Sequence, residues 1–265
     1  MTMLIHAMGE GPPVVLVGGG LTGWLSWIPH QERLVTARRV ARAQPLVVQL
    51  GLENRPVPPD YSVEMESAAL AAAVDELQPT GAVDLVGWSY GGFLSLDYAL
   101  THPDRVRTLT LIEPPAFWVL AAAGDPAYEE ERARLRPLAE RLRDDVTAAD
   151  LEAFVQFASL VPPNVRPQDL PQWPVWLEHR RSLRGQFDAE FGYRGDLARL
   201  QTFDRPVLLV KGRGSTPVLH RVVEVLAETL PDARILELDG GHAPQIVEID
   251  RFLWELERFL AGPGR

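Results

Sequence analysis

Residues 83–91, V-D-L-V-G-W-S-Y-G, place a serine between two glycines at the end of an apolar run. The run predicts a buried strand, and the helical pattern from Phe93 to Leu100 follows almost at once. Glycines two residues before and after Ser89 allow the strand and helix backbones to pass close together at a sharp turn. Such a turn points the serine hydroxyl out of the sheet, where it can act as a nucleophile.

Short β-rich runs alternate with helical patterns on both sides of this segment. The predicted strands are Met3–Ala7, Val14–Val17, Leu46–Leu50, Val83–Val86, Val106–Ile112, Val207–Val210 and Arg234–Leu238. This alternation predicts an α/β fold with a mostly parallel central sheet of about seven strands and helices on both faces. We expect the first two strands to form an antiparallel hairpin through G-E-G-P-P at residues 9–13.

The alternation stops in residues 114–203, which contain no convincing strand. They carry charged helical stretches, a Pro-rich link and many aromatic side chains. We therefore predict a helical cap, inserted into a core formed by residues 1–113 and 204–265. Most of the aromatics are expected in the core of the insertion, and some over the sheet edge, where ligands bind in such folds. The pocket candidates from the insertion are Trp118, Trp173 and Trp176.

Composition excludes several classes of function. The 265 residues carry a formal net charge of −10, which argues against nucleic acid or an anionic membrane as a partner. There is no cysteine, so disulfides, thiolate catalysis and cysteine metal sites are excluded. The N-terminal residues lack the pattern of a signal peptide, and no apolar run approaches the ~20 residues of a membrane span. These features predict a cytoplasmic protein.

Five segments follow one another along the chain in a characteristic order. They are P-P-V-V-L-V-G-G-G, G-W-S-Y-G, H-P-D-R-V-R-T-L-T-L-I-E-P-P, R-P-V-L-L-V-K-G and L-D-G-G-H. Together they resemble the α/β-hydrolases with a helical cap, and the resemblance covers nearly the whole chain. It implies a member of the serine hydrolase and esterase branch. The motifs are more specific for the fold than for the substrate, because one fold hosts many chemistries.

A serine hydroxyl is a poor nucleophile until a base takes its proton. His242, in L-D-G-G-H-A-P, follows the last predicted strand and comes after Ser89 in the chain, which is the position that the resemblance implies for the base. The remaining histidines fall in a strand or in helical surroundings, and we expect them to be structural. They are His6, His30, His102, His179 and His220.

The loop G-G-G-L-T-G at residues 18–23 is the candidate for one side of an oxyanion hole. The resemblance implies that the N–H of Gly20 is a donor, with Leu21 as the alternative. Tyr90 supplies the second N–H, because it follows the nucleophile at the start of a helix. No complete nucleotide-binding motif is present. The pocket candidates near the loop and the nucleophile are Leu21, Trp24 and Trp88.

The triad acid is not at its usual place. In most of the resembled family it follows the strand that matches P-V-L-L-V, but Ser215 stands there in this chain. Glu113 ends a neighbouring strand, 24 residues after Ser89, which is a spacing found in branches such as the haloalkane dehalogenases. We favour Glu113 as the partner of His242. Asp239, Ser215 with water, and the absence of any acid stay open as alternatives.

The residue types indicate acyl chemistry. A serine nucleophile with an oxyanion hole suits a tetrahedral intermediate, whereas dehalogenases and epoxide hydrolases use a carboxylate nucleophile. We expect cleavage of a carboxylic ester of a small to medium hydrophobic acyl substrate, without a metal or organic cofactor. An acyltransferase, thioesterase or perhydrolase could use the same triad, and a non-catalytic ligand-binding protein is a further alternative. The sequence leaves open the natural substrate and whether the protein is a monomer or a homodimer.

Overall fold

Seven strands form one sheet in the computed structural model of the protein, which describes residues 2–262. The strands are β1 (Leu4–Met8), β2 (Pro13–Val17), β3 (Arg39–Gln44), β4 (Val83–Trp88), β5 (Val106–Ile112), β6 (Val207–Gly212) and β7 (Ala233–Leu238). Their order is β1-β3-β2-β4-β5-β6-β7, and every pairing is parallel except that of β1 with β3. The predicted α/β fold is confirmed. The outer ends of the predicted core, residues 1 and 263–265, lie outside the described residues.

The predicted hairpin between the first two strands is wrong. β1 pairs antiparallel with β3, and β3 lies between β1 and β2. The connection instead crosses the end of β3, where Gly9 and Gly11 adopt φ values of 76° and 107°. A Cβ atom at Gly9 would lie 2.4 Å from the carbonyl oxygen of Arg38, so side chains do not fit this crossing.

The predicted strand Leu46–Leu50 is also wrong, because these residues begin the helix α2 (Leu46–Leu52). The Glu66 carboxylate accepts hydrogen bonds from the N–H groups of Leu46 and Val47 at 2.7 and 2.8 Å, which stabilises the helix start. The third strand, β3, comes just before this helix and has the sequence R-V-A-R-A-Q. Its two arginines interrupt the apolar pattern that would have indicated a buried strand. Arg42 is nevertheless buried, and it donates a hydrogen bond to Gln31 at 2.7 Å.

Helices cover both faces of the sheet. The remaining α-helices of the described chain are α1 (Ile28–Leu34), α3 (Val63–Leu77), α4 (Tyr90–Thr101), α5 (Trp118–Ala122), α6 (Ala127–Arg141), α7 (Ala148–Phe157), α8 (Trp173–His179), α9 (Gln186–Gly192), α10 (Leu197–Thr202), α11 (Pro217–Thr229), α12 (Pro244–Val247) and α13 (Ile249–Ala261). Short 3-10 helices span Trp24–Trp27, Pro103–Arg105, Pro167–Asp169 and Arg180–Leu183. None of the helices in residues 2–262 is long and apolar enough to cross a bilayer.

The side chains of β2 show how the two layers of the core form. Val14 and Leu16 pack in a hydrophobic cluster with α1 and α13. Val15 and Val17 point to the other face and pack with α2, α3, α4 and α11. Burial of apolar side chains on both faces is typical of parallel sheets, and it makes the sheet a rigid platform.

The long connection between β5 and β6 contains the helices α5–α10 and, within the described residues, no strand. Aromatic pairs hold this insertion together. Phe117 stacks on Phe191 with ring centroids 5.1 Å apart, and Phe154 packs against Phe187 at 6.2 Å. Because β4–β7 are parallel, their carboxyl ends meet at one edge of the sheet, where the site described below lies.

Candidate active site

Ser89 lies on a strained turn between β4 and α4. Its backbone has φ 54° and ψ −127°, a conformation that L-residues rarely adopt. The turn requires its glycines, because a Cβ atom at Gly91 would lie 2.3 Å from the carbonyl oxygen of Gly18, and one at Gly87 would lie 2.4 Å from that of Gly91. A hydrogen bond from the Ser89 N–H to the Ile112 carbonyl, at 2.8 Å, fixes the turn to the neighbouring strand β5.

The structure brings Ser89, His242 and Glu113 together. Ser89 Oγ lies 2.7 Å from His242 Nε2, and His242 Nδ1 lies 3.2 Å from Glu113 Oε2. His242 is 5% exposed and Glu113 is fully buried. A carboxylate opposite Nδ1 requires the ring proton there, so Nε2 is free to accept the hydrogen bond of the Ser89 hydroxyl. The arrangement can therefore move a proton from the serine to the imidazole and stabilise the resulting cation.

The backbone of His242 is held from two sides. Its N–H donates to the carbonyl of Ser159 in the insertion at 3.1 Å, and its carbonyl accepts a hydrogen bond from Trp88 Nε1 at 2.7 Å. Ser159 has a φ of 51°, so a second strained residue points its carbonyl at the histidine loop. Nothing in the sequence pattern indicated Ser159, because it lies in the turn after α7, far from His242 along the chain. Trp88, expected as a pocket residue, also positions the base.

Glu113 is held by the loop that follows β6. The Gly212 N–H donates to Glu113 Oε1 at 2.7 Å, and the Ser215 hydroxyl donates to Oε2, the oxygen that also faces His242. Glu113 itself adopts a φ of 48°, which lies in the left-handed region that residues other than glycine rarely adopt. Ser215 therefore does not replace the carboxylate but donates a hydrogen bond to it. The two hydrogen bonds hold the carboxylate in place beside the imidazole.

Asp239, the alternative acid, is not brought to the imidazole. Its carboxylate pairs with Arg213, and its side chain is 61% exposed. Arg213 also pairs with Glu237 at 3.0 Å, and Lys211 lies 3.5 Å from the same carboxylate. The charged residues around β6 and β7 thus form an ion-pair group at the surface.

The two candidate oxyanion donors, Tyr90 and Gly20, lie at the start of α4 and in the loop after β2. Tyr90 is the first residue of α4, so its N–H has no acceptor within the helix and stands at the positive end of the helix dipole. Gly20 lines the same cavity as Ser89. Gln186 of α9 donates to the Gly20 carbonyl at 2.8 Å and so fixes the peptide that joins Gly20 to Leu21. A Cβ atom at Gly20 would lie 2.0 Å from the Gln186 amide, which explains the glycine.

A buried hydrogen-bond chain anchors the Tyr90 side chain. The hydroxyls of Tyr90 and Tyr61 lie 2.7 Å apart, and Tyr61 donates to the Glu66 carboxylate at 2.6 Å. Burial is the main reason that the pKa of each of the two phenols is raised well above its usual range, so both keep their protons. The chain fixes the residue whose N–H adjoins the nucleophile.

Ser89 and His242 face an inner cavity of about 60 Å³ between the sheet edge and the insertion. Its lining is mainly apolar and includes the predicted pocket residues Leu21 and Trp88. The other polar or charged side chains on its wall belong to Glu131, Gln186, Glu190 and Thr216.

A larger apolar groove of about 490 Å³ adjoins the inner cavity and shares Leu21, Trp88 and Leu160 with it. We call it the outer groove; its other lining residues include Trp176, Ile246 and Val247. Of the predicted pocket residues, Trp176 therefore lies only in this groove.

Three predicted pocket residues line neither space. Trp24 packs beside Arg42, whose guanidinium lies 5.9 Å from the ring centroid. Trp118 is buried against Tyr193, with ring centroids 5.8 Å apart. Trp173 packs against the main hydrophobic cluster. Trp118 and Trp173, the two of these residues that belong to the insertion, therefore pack in the hydrophobic core.

Residues 12–249 match the model of a protein family described as the alpha/beta hydrolase fold. A 2-hydroxy-6-oxo-2,4-heptadienoate hydrolase of Pseudomonas putida is 43% identical over 111 residues, which cover 41% of this chain but only 39% of that relative. A pimeloyl-[acyl-carrier protein] methyl ester esterase of Aliivibrio salmonicida is 29% identical over 95% of this chain and 93% of its own. Among solved structures, an esterase from Exiguobacterium antarcticum superposes with a TM-score of 0.77 at 19% identity, covering 98% of this chain and 96% of that one. The sequence relatives are hydrolases, and the structural likeness concerns the fold.

Proposed function

The chain belongs to the alpha/beta hydrolase fold family, and we propose that it is a serine hydrolase that cleaves a carboxylic ester of a small to medium hydrophobic substrate. The observation that carries this proposal is the hydrogen-bonded series Ser89–His242–Glu113, with distances of 2.7 and 3.2 Å. It lies at the sheet edge where ligands bind in open α/β folds.

In the first half of the proposed reaction, Ser89 Oγ attacks the ester carbonyl carbon while its proton passes to His242 Nε2. Glu113 stabilises the imidazolium through Nδ1–H. The N–H groups of Gly20 and Tyr90 stabilise the negative charge on the carbonyl oxygen. The tetrahedral intermediate then collapses, the imidazolium gives its proton to the leaving alcohol, and an acyl group remains on Ser89.

In the second half, His242 takes a proton from water, and the resulting hydroxide attacks the acyl carbon. The same two N–H groups stabilise the second oxyanion. The imidazolium returns its proton to Ser89 Oγ as the acid leaves. Water is consumed, one C–O bond is broken and one is formed, and no external oxidant or reductant is needed.

We propose that the helical insertion acts as a cap that divides the substrate between two spaces. The inner cavity of about 60 Å³ suits a short acyl group next to Ser89. The outer groove of about 490 Å³ suits a larger apolar alcohol, because it is apolar and adjoins the inner cavity at Leu21, Trp88 and Leu160, which line both spaces. Esters with a short acyl chain and a bulky apolar leaving group are therefore the favoured class.

Cleavage of a carbon–carbon bond is a second candidate. The local 43% identity to a hydrolase of 2-hydroxy-6-oxo-2,4-heptadienoate favours it, since that compound has no ester and its hydrolysis must break a C–C bond. However, the compound is an anion, and the described residues that line the inner cavity include two glutamates and no Lys or Arg. An anion that enters such a cavity gains no ion pair to offset its loss of hydration. The ester is therefore our first choice.

The test compares wild type with Ser89→Ala on p-nitrophenyl esters and on 2-hydroxy-6-oxo-2,4-heptadienoate. We expect ester turnover that Ser89→Ala abolishes, and a fluorophosphonate adduct on Ser89 seen by mass spectrometry only in the wild type. Turnover of the dienoate with no ester turnover would favour the second candidate. Failure of the fluorophosphonate to label the wild type would refute the serine hydrolase proposal.

A further inference from the structure

Glu190 is a buried carboxyl group that the proposed mechanism does not use. It lies on α9, one helical turn after Gln186, and lines the inner cavity with Ser89 and His242. The residue is 4% exposed, and its Oε2 atom has no hydrogen-bond partner within residues 2–262. A buried polar atom without a hydrogen-bond partner destabilises the fold. The presence of a glutamate at this position therefore suggests a functional role.

The other buried carboxylates of the described chain all accept hydrogen bonds. They are Glu66, Asp84, Asp97, Glu113, Glu131 and Asp150. Glu131, which also lines the inner cavity, is paired in bidentate fashion with Arg134 at 2.9 and 2.7 Å. Glu190 is therefore the carboxyl group in the cavity wall that is buried without a hydrogen-bond partner for Oε2 within residues 2–262.

Burial raises the pKa of the Glu190 carboxyl well above its usual range. A neutral carboxyl group carries a proton that it can donate to an oxygen acceptor. A second unpartnered group points to the same conclusion. Thr216 lines the inner cavity from the loop before α11, and its buried hydroxyl also has no partner in residues 2–262.

We infer that Glu190 is a specificity-determining residue, which selects acyl groups that carry an oxygen acceptor: an ether, hydroxyl or oxo group along the acyl chain. This inference rests on the proposed ester hydrolase function and names the acyl chemistry for the same site. The Glu190 O–H donates to the acyl oxygen, and the apolar wall accommodates the rest of the chain. An acyl group without an oxygen along its chain leaves the carboxyl group unpaired.

The test uses three acyl groups of the same length on one leaving group: the p-nitrophenyl esters of pentanoate, 3-oxapentanoate and 4-oxapentanoate. The readout is the ratio of kcat/KM for each oxa ester to that for pentanoate. We expect the wild type to favour at least one oxa ester by about tenfold, which corresponds to one neutral hydrogen bond. Each kcat/KM is divided by the rate constant for spontaneous hydrolysis of the same ester, which normalises for the intrinsic reactivity of its carbonyl.

Glu190→Leu should remove this preference, and Glu190→Met serves as a second apolar variant if the first does not fold. Glu190→Gln should keep it, since the carboxamide also donates. Glu178→Leu, which replaces an exposed carboxylate of the same insertion, should match the wild type. A merely structural role of Glu190 would lower kcat/KM for all three esters together and leave the ratios unchanged.

An unchanged ratio in both apolar variants would overturn the inference. So would a preference of the wild type for a cationic 4-(trimethylammonio)butanoate ester that Glu190→Gln abolishes, since that result would show an ionised carboxylate. Either result would leave the proposed function standing, because pentanoate turnover by Ser89 would persist. Absence of turnover for every ester would instead count against the proposed function.

Discussion

The ends of β5 and β6 are neighbours at the same sheet edge, yet they contribute different chemistry to His242. β5 is followed by Glu113, a fully buried carboxylate that faces the imidazole. β6 ends at Gly212 and leads to Ser215, and these two residues donate hydrogen bonds to that carboxylate. A loop that lacks the acid can thus still support it, because the end of β6 and the loop after it supply the donors to the carboxylate that follows β5.

The same two regions differ in the solvent exposure of their charged side chains. The carboxylate after β5 is enclosed, whereas the charged residues along and beyond β6 form ion pairs at the surface, such as that of Arg213 with Asp239. Exposed pairs contribute little to stability or to the potential inside a cavity. We therefore expect the energetic consequences of substitution to follow burial rather than charge.

The largest effect should come from Ser89→Ala. The kcat that remains in this variant is the baseline for the variants at the ends of β5 and β6. Loss of the nucleophile should lower kcat on p-nitrophenyl esters by about 10⁵-fold or more, because acylation can no longer occur. A thermal melt close to that of the wild type provides the control for folding. Retention of more than a few percent of the activity would show that another group attacks the ester.

Moving the acid between the two strand ends tests their equivalence. The double variant Glu113→Gln with Ser215→Asp places a carboxylate after β6 in place of the one after β5. We expect kcat to recover about tenfold over the single variant Glu113→Gln and to stay about 100- to 1,000-fold below wild type, because the surrounding donors are arranged for Glu113. Steady-state kinetics of the three proteins measure this, and no recovery would mean that the β6 loop cannot present a carboxylate to His242.

Ser215→Ala should have a smaller effect. It removes the hydroxyl that donates to Glu113 Oε2 and leaves the carboxylate in place. We expect kcat to fall about threefold to tenfold with little change in KM, since the hydrogen bond orients and stabilises the carboxylate without touching the substrate. Ser215→Thr, which keeps the hydroxyl, should restore most of the loss. Equal activity of the wild type and the alanine variant would remove Ser215 from the site.

The smallest effect is expected for Asp239→Asn. Its carboxylate is 61% exposed and paired with Arg213, so it does not reach the imidazole. Both kcat and KM should stay within about twofold of wild type, as expected for a surface ion pair. A loss comparable with that of Glu113→Gln would identify Asp239 as a participant in catalysis.

The sequence could predict the features of the site that depend on local geometry, on strand order or on the resemblance to the capped hydrolases. The glycines around Ser89 are needed by backbone contacts within one turn, so the motif predicted the turn. Glu113 could be placed because parallel strands end at the same edge. The resemblance to the capped hydrolases implied His242 as the base and supported Glu113 through its spacing from Ser89, and the structure brings all three residues together.

The residues that sequence reasoning missed act through contacts between distant segments. Ser159 holds the His242 backbone and Gln186 fixes the Gly20 loop, but both come from the insertion, whose packing has no local motif. β3 was missed for a related reason: Arg42 is buried only because Gln31 and the Trp24 carbonyl accept its hydrogen bonds at 2.7 and 3.1 Å. Local hydrophobic patterns do not show a polar side chain whose partners are supplied by other elements.

The most direct test of the claim that the acid lies at the end of β5 is kcat/KM of Glu113→Gln on a p-nitrophenyl ester. The amide keeps the shape of the side chain but removes the charge that stabilises the imidazolium and selects its tautomer. We predict a loss of about 10³- to 10⁴-fold relative to wild type, with unchanged folding by circular dichroism. A Glu113→Gln protein with kcat/KM within threefold of wild type would contradict the account.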